Sequence, residues 1–294
     1  MKHAFLIMAH NEPYILNKLL KKLSHPNNDC YVHIDKKVNG FYRTELETII
    51  KKAGGIIIKN PIDARWGDFS LIRSELLLFT TALNSSIQYD YFHLLSGVDL
   101  PIKPMSYIHS FFECNKGKEF FRIVTDSNNM EQLYIKTNYY HFFMYYKRKT
   151  IGKLLRFLNI PKCSIRIQMM LHISRYKTDN LTQYKGDQWC SLSREAVQYI
   201  LSKTNYIYKR YKYTSCPDEI YKQTILMNSR FKSKRFESQE NSINDSLREI
   251  DWSRGTLHIW NIQDKNILLN SKNLFARKFS SKNTDIIDFI ASYI

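Results

Sequence analysis

The sequence predicts an α/β fold built on a mostly parallel, doubly wound sheet. Two observations carry this. In the first hundred residues four short apolar runs alternate with stretches of helical periodicity, the order that yields parallel strands joined by crossover helices. Polar and charged residues also follow directly on these runs, as in Ala9-His10-Asn11-Glu12, Asp35-Lys36-Lys37, Arg65-Trp66-Gly67-Asp68 and Ser96-Gly97-Val98-Asp99. On such sheets ligands sit at the carboxyl ends of strands, near the point where the strand order reverses.

The elements follow in order. Phe5 to Met8 reads as a buried strand, within an apolar run from Ala4 to Ala9. Tyr14 to Leu23 carries Ile15, Leu16, Leu19, Leu20 and Leu23, a helical stripe. Cys30 to Ile34 is a second strand, ending at Asp35. Thr44 to Ala53 is helical and stops at Gly54-Gly55. Ile56 to Ile58 is a third strand, Ser70 to Leu83 a longer helix, and Tyr91 to Leu95 a fourth strand. Farther on, Glu195 to Leu201, Pro217 to Met227 and Thr284 to Ile294 read as helices, the second opened by its proline.

The chain of 294 residues is long enough for a large core, and no linker or internal repeat divides it. A single catalytic-sized domain over 1–294, with an irregular insertion at about 131–179, is the expected organisation. The net charge of +17 comes from 44 basic and 27 acidic residues, and it suits nucleic acid, an anionic membrane face or phosphorylated substrates. Its distribution is uneven. No acid lies between Glu131 and Asp179, where ten basic residues from Lys136 to Lys177 interleave with aromatic and aliphatic ones. The cheapest account is a solvated face; a membrane interface or nucleic acid is the alternative. Five scattered cysteines without a C-x-x-C pair predict reduced thiols in a cytosolic chain. The first apolar run is too short for a membrane span and has no cleavage pattern.

Several residues can carry chemistry, each with a duller alternative. Asp35 can accept from a ribose or base, or simply start a turn. Asp99 can touch a sugar or close its loop by Asx-type bonds; it stands alone, without a D-x-D pair to share a divalent cation with a diphosphate. Trp66 and Trp189 can stack on a ligand or fill core. Glu219 can be a general base, or a first-turn acid favoured by the helix dipole. Arg277 and Lys278 can hold a phosphate as a planar fork and a point charge, or decorate a surface strand. There is no H-E-x-x-H, G-x-S-x-G or P-loop, so hydrolase and NTPase readings lack a motif.

Taken together, the segments resemble the core-2/I-branching glycosyltransferase family, which includes the peptide O-xylosyltransferases. The matching pieces, in family order, begin with Val32-His33-Ile34-Asp35-Lys36, Ala64-Arg65-Trp66-Gly67 and the run Phe92 to Ile102. They continue through Gly186 to Arg194, Cys216-Pro217-Asp218-Glu219 with Gln223 to Leu226, Asp251-Trp252, and Phe275-Ala276-Arg277-Lys278-Phe279. The resemblance implies a GT-A-like fold, an inverting mechanism and no metal requirement. By position it makes Glu219 the general base, and Asp35, Trp66 and Asp99 donor-side residues. Arg277 and Lys278 become the cations that replace a metal at the diphosphate, with Arg254 near a further basic position. Trp189 and Trp252 fall on the acceptor side.

The expectation is therefore transfer of N-acetylglucosamine or xylose from a UDP-sugar to a glycan or lipid-linked glycan acceptor. No metal and no nucleic acid take part. The expected setting is bacterial surface-glycan synthesis in the cytoplasm, with the basic stretch against the inner membrane. The alternative is a basic module that binds nucleic acid or another polyanion without catalysis.

Overall fold

The computed structural model describes residues 1–178, 181–238, 245–255 and 257–293. Asp179, which closes the acid-free stretch, and Ile294, the end of the expected last helix, lie outside the described residues, as does the side chain of Lys177.

The first half is the predicted alternation. Strand β1 (His3–Ala9) leads to helix α1 (Pro13–Leu23), β2 (Asn28–Ile34), α2 (Gly40–Lys52), the short β3 (Ile56–Ile57), α3 (Ser70–Leu83) and β4 (Tyr91–Ser96). A two-residue strand β5 (Leu100–Pro101) and helix α4 (Met105–Cys114) follow. Next come α5 (Ser127–Asn138), α6 (Thr150–Phe157) and α7 (Ile160–Met170). The last third holds β6 (Cys190–Ser193), α8 (Arg194–Ser202), α9 (Thr204–Tyr211), α10 (Tyr221–Met227), β7 (Arg248–Ile250), α11 (Lys265–Asn270), β8 (Phe275–Arg277) and α12 (Thr284–Tyr293).

The main sheet has the order β3-β2-β1-β4-β6, parallel except for β6, which runs against β4. The mixed α/β class and the mostly parallel sheet are those the sequence predicts. β1 shows why it is central. Its side chains alternate, with Phe5, Ile7 and Ala9 in one apolar cluster and Ala4, Leu6 and Met8 in another. The first cluster is closed by α1, α2, α4 and α12, through Leu16, Ile50, Phe112 and Ile287. The second is closed by α3, α8 and α10, through Phe79, Val197 and Ile225. A strand buried on both faces must be apolar throughout, as the Ala4 to Ala9 run is.

After β3 the chain returns to pair β4 on the other side of β1, so the strand order reverses between β1 and β4. A second sheet, β5-β8-β7, sits at this point. Leu100 pairs with Ala276 and Ile250 with Arg277, which brings Arg277 beside the turn that contains Asp99.

Two expectations need correction. The stretch from 131 to 179 is not irregular: its described part is largely helical, in α5, α6 and α7. The helix expected from Pro217 to Met227 is broken. Pro217–Glu219 form a 3-10 turn, and α10 begins only at Tyr221. Cys216 enters this turn at φ 48, and Ile220 leaves it at φ −126. Glu219 therefore ends a turn instead of riding in the first turn of an α-helix.

Candidate active site

The carboxyl ends of β1, β2 and β4 meet the turn 217–219, the segment 186–189 and strand β8. The sequence supplies each piece by a local rule. After β4, Asp99 folds back, and its Oδ2 accepts from the Ser96 amide at 2.9 Å, the Asx-type closure that a short carboxylate makes. Its Oδ1 lies 3.8 Å from Nε of Arg277. Asp99 is wholly buried, so its link to the site runs through Arg277. Burial pushes its carboxyl up, against the pull of the guanidinium.

Arg277 is also buried, and its guanidinium lies 4.1 Å from the centroid of the Trp189 ring. Burial works against its charge, while Asp99 and Asp187 offset that cost. Among the described residues its buried Nη1 has no hydrogen-bond partner. Asp187, whose carboxyl is likewise pushed up by burial, meets Nη1 of Arg122 at 3.4 Å. Lys278 follows at a half-buried position, with its amide donating to the His258 carbonyl at 3.5 Å.

On the β2 side Asp35 is buried and already engaged. It accepts from the Lys37 amide at 2.9 Å and from Lys37 Nζ at 2.8 Å. Lys37 also meets Asp63 at 2.9 Å and the Ala64 carbonyl, tying the Asp35 turn to the loop that bears Trp66. Trp66 is 47% exposed, enough for a ligand to reach its ring, with Lys147 Nζ at 4.2 Å and the Arg148 guanidinium at 4.9 Å from the centroid. His10, after β1, is held below its ordinary value. Desolvation comes first, with Lys37, Lys278 and Arg148 adding repulsion against the attraction of Asp35. One histidine thus senses four residues from three separate segments, and all but Asp35 are cations.

Glu219 and Asp218 are adjacent acids with opposite fates. Asp218 is turned inward, and its carboxyl is pushed well above the ordinary range by burial, then by Glu219 and Glu75. The Glu219 side chain is 32% exposed, and its Oε2 lies 3.8 Å from Lys136 Nζ. Beneath the turn, Lys222 and Glu75 form a fully buried ion pair. Tyr221 Oη donates to Glu75 at 2.7 Å, Gln188 Nε2 donates to it at 3.0 Å, and Lys222 also donates to the Asp218 carbonyl at 3.2 Å. The turn is further pinned by the Gly186 amide, which donates to the Glu219 carbonyl at 2.8 Å. Gly186 itself has no alternative, because a Cβ there would fall 1.8 Å from the Arg122 carbonyl oxygen. Segment 186–189 thus links Glu219 to Arg277 at its two ends.

The structure links Glu219, Trp189 and Arg277 along this segment, and it gathers Asp35 and Lys278 about His10, with Trp66 tied to Asp35 through Lys37 and the Ala64 carbonyl. Trp189, expected on the acceptor side, stands against the cation expected at the donor. Arg254 and Trp252 lie on the loop that precedes His258, and Arg254 is joined to Lys278 through Asp264 and His258. The Arg254 guanidinium is held by Asp251 and, at 2.8 Å, by Asp264, and Trp252 is half-exposed beside it. Sequence reasoning placed His10 and Lys37 in strand-end segments without singling them out, and it assigned no role to Asp187 or Lys136. Asp187 had a signal in its Gly186-Asp187 turn, whereas Lys136 lay among basic residues that one sequence cannot rank.

Residues 3–268 match the family model described as Core-2/I-Branching enzyme. This span includes every predicted site residue except Arg277 and Lys278. A human protein named probable beta-1,3-galactosyl-O-glycosyl-glycoprotein beta-1,6-N-acetylglucosaminyltransferase 7 is 24% identical over 201 residues, covering 68% of this chain and 43% of that protein. Xylosyltransferase 2 of Rattus norvegicus is 22% identical over 257 residues, 85% of this chain and 26% of that protein. The chain thus spans less than half the length of these relatives. Among solved structures, apo mouse xyloside xylosyltransferase 1 aligns over 77% of this chain and 81% of its own at 9% identity, with a TM-score of 0.36. The ordered motifs, their placement where the strand order reverses and a match over nearly the whole length agree: the chain belongs to the Core-2/I-Branching enzyme family.

Proposed function

We propose that the protein is an inverting glycosyltransferase that moves N-acetylglucosamine or xylose from a UDP-sugar to an acceptor hydroxyl, with no metal cofactor. The observation that carries the mechanism is the split between Asp218 and Glu219. A single displacement needs one accessible base, and Glu219 is accessible. A double displacement would also need a nucleophilic carboxylate, and its neighbour is turned into the core.

In this mechanism the acceptor oxygen attacks the anomeric carbon while the bond from that carbon to the UDP oxygen breaks. The hydroxyl proton passes to Glu219, and the bonding pair leaves with the diphosphate. Lys278 and Arg277 meet the charge that develops there, the role a divalent cation plays in other transferases. The cationic surroundings of His10 support this placement of the diphosphate. Asp35 and Trp66 take the nucleoside end, and Trp189 fixes the guanidinium that faces it. The curated relatives' names support both candidate sugars. A non-catalytic polyanion module accounts for the charge but gives no reason for the family match.

The setting we propose is surface-glycan synthesis at the cytoplasmic face of a bacterial inner membrane, with α6 and α7 against the lipid. Among the described residues no helix is long and apolar enough to cross a membrane. A panel of nucleotide sugars, scored for enzyme-dependent UDP release with and without EDTA, tests the reading. Release from UDP-N-acetylglucosamine or UDP-xylose that persists in EDTA is expected. Release from neither, or release that only added Mn²⁺ restores, refutes it.

A further inference from the structure

A cavity of about 500 Å³ lies beneath the α6–α7 pair, outside the site described above. It is within the size range of small-ligand pockets. Its walls mix two kinds of side chain. Phe142, Leu155 and Ile165 are apolar, while Lys147, Arg156 and Lys162 are cations. Among the described residues none of these three cations has a carboxylate at ion-pair distance, and the sequence offers no acid between Glu131 and Asp179. Burial of Lys147 disfavours its charge, and Lys136, Arg156 and Arg148 add repulsion. Lys147 is half-buried, while Arg156 and Lys162 are exposed at the rim, with the Arg156 guanidinium donating to the Lys147 carbonyl; an anionic ligand seated among them would relieve the repulsion that Lys147 feels.

The cavity also abuts the reaction centre. Ser215, at its edge, opens the segment that ends at Glu219. Met144, another wall residue, packs over Gly67, where an added Cβ would meet its Cε at 2.9 Å. Outside, α6 and α7 bury no apolar side chain, only Gly152 and Gln168. Phe157 is 81% exposed and Met170 78%, far more than a helix packed on its own domain would leave.

We propose that this cavity is the acceptor's aglycone subsite, and that the aglycone is an apolar chain carrying a phosphate, as in a lipid-linked acceptor. The chain lies along Phe142, Leu155 and Ile165, and the phosphate meets Arg156 and Lys162. The acceptor sugar then projects past Ser215 toward Glu219. The acceptor role rests on the glycosyltransferase reading; the binding chemistry does not.

The test uses the full chain with farnesyl phosphate, below its aggregation concentration, and with farnesol and inorganic phosphate separately. Calorimetry reads stoichiometry, and indole fluorescence reports from Trp66, which lies under Lys147. One-to-one binding of farnesyl phosphate is expected, at least ~10-fold tighter than either part alone, since apolar and ionic contacts both contribute. The double variant Arg156→Glu/Lys162→Glu should weaken it at least ~10-fold, about the loss expected when charge-assisted contacts turn repulsive. Ile165→Trp, which fills the cavity without touching charge, should do the same, and UDP binding should be unchanged in both. Equal binding of farnesol would reduce the cavity to an apolar sink, and equal binding of inorganic phosphate would make it a free-phosphate site. Binding that survives both variants would place the ligand elsewhere, as adsorption to the outer helix faces would. Each of these results overturns the proposal. Farnesyl phosphate binding without any UDP binding would instead remove the transferase reading and leave the cavity assignment standing.

Discussion

The Arg277 guanidinium lies 4.1 Å from the centre of the Trp189 ring. Asp99, on its other side, is 3.8 Å away and closes its own turn with its second oxygen. The arginine is thus aimed by two neighbours, and among the described residues its buried Nη1 has no hydrogen-bond partner. A cation on an aromatic face is worth roughly 0.5–2 kcal/mol, more when desolvated. Trp189→Leu keeps an apolar group but removes that face. We expect UDP affinity to fall by ~3–30-fold, the equivalent of that energy. Uridine affinity should change little, because it has no diphosphate. Isothermal titration with both ligands checks this, and equal losses for the two would assign Trp189 to the nucleoside instead.

Lys278 gives a cleaner form of the same experiment. It is half-buried, and with Lys37 and Arg148 it repels a proton on His10, so its truncation relieves a repulsion. Lys278→Ala should weaken UDP by about 1.5–3 kcal/mol, the scale of a charged hydrogen bond, and spare uridine. Activity of the wild type should persist in EDTA. A requirement for Mn²⁺ would show that these cations do not carry the diphosphate alone.

The adjacent acids predict opposite phenotypes. Glu219→Gln removes the proton acceptor from a partly exposed side chain, so kcat should drop by at least ~10²-fold while UDP affinity holds. Asp218→Asn replaces a carboxyl whose charge is disfavoured by burial, then by Glu219 and Glu75, with a neutral group of equal size. It should retain kcat within ~10-fold, because no proton transfer is asked of it. The reverse ranking would move the base to Asp218.

Much of the fold was legible because its signals are local. The apolar run Ala4 to Ala9 and the stripe from Ile15 to Leu23 specify elements that need no knowledge of their neighbours. The break at Ile220 was not legible, because its cause is tertiary. Tyr221 and Lys222 are drawn inward to Glu75, a residue of α3 more than a hundred positions earlier. The same holds for the site. Motif order pointed to Glu219 and Arg277. The inward turn of Asp218, the engagement of Asp35 by Lys37 and the meeting of Trp189 with Arg277 depend on which strands become neighbours. The helical character of 150–170 was obscured for another reason: α6 and α7 bury no apolar side chain, with Leu155 and Ile165 lining the cavity and Phe157 and Met170 facing outward, so no core pattern marks them.

Glu119 gives a test by pH. It is fully buried in an otherwise apolar wall, where it accepts from the Ser193 amide at 2.9 Å and from Ser193 Oγ at 2.5 Å. Burial pushes its carboxyl up from 4.5 to about 7, despite these bonds. The folded state therefore holds the proton more tightly than the unfolded state. Its contribution is fully present below pH ~4.5 and is lost as pH rises through ~7, by an amount of order 3 kcal/mol at about 1.36 kcal/mol per unit. Glu119→Gln has no proton to lose. Its Tm should therefore gain on the wild type steadily between pH 5 and 8, on the order of 5 °C or more for such an energy. Parallel curves for the two proteins across that range would mean that Glu119 is ionised throughout.

The outward faces of α6 and α7 make the last prediction, which concerns the whole protein on a lipid surface. Phe157, Met170 and Leu171 are 81%, 78% and 66% exposed, and Lys149, Lys153 and Arg166 lie among them. Two forces can act here, and they differ in salt response. Each cation near an anionic leaflet adds about 1 kcal/mol, within a screening length of ~8 Å at physiological salt. Apolar side chains that enter the headgroup layer gain energy that salt does not screen. Flotation with phosphatidylglycerol vesicles should recover the protein, and phosphatidylcholine vesicles should not. The triple variant Lys149→Glu/Lys153→Glu/Arg166→Glu should abolish recovery at low salt. Phe157→Ser/Met170→Ser should leave low-salt recovery largely intact and remove the part that survives 0.5 M salt. Lys153, Arg166, Phe157 and Met170 are on the exposed faces, so the double variant Lys153→Glu/Arg166→Glu serves beside the triple one, and its uridine and UDP affinities are the control for folding. Equal recovery on both vesicle types would mean that the helix pair faces something other than an anionic membrane.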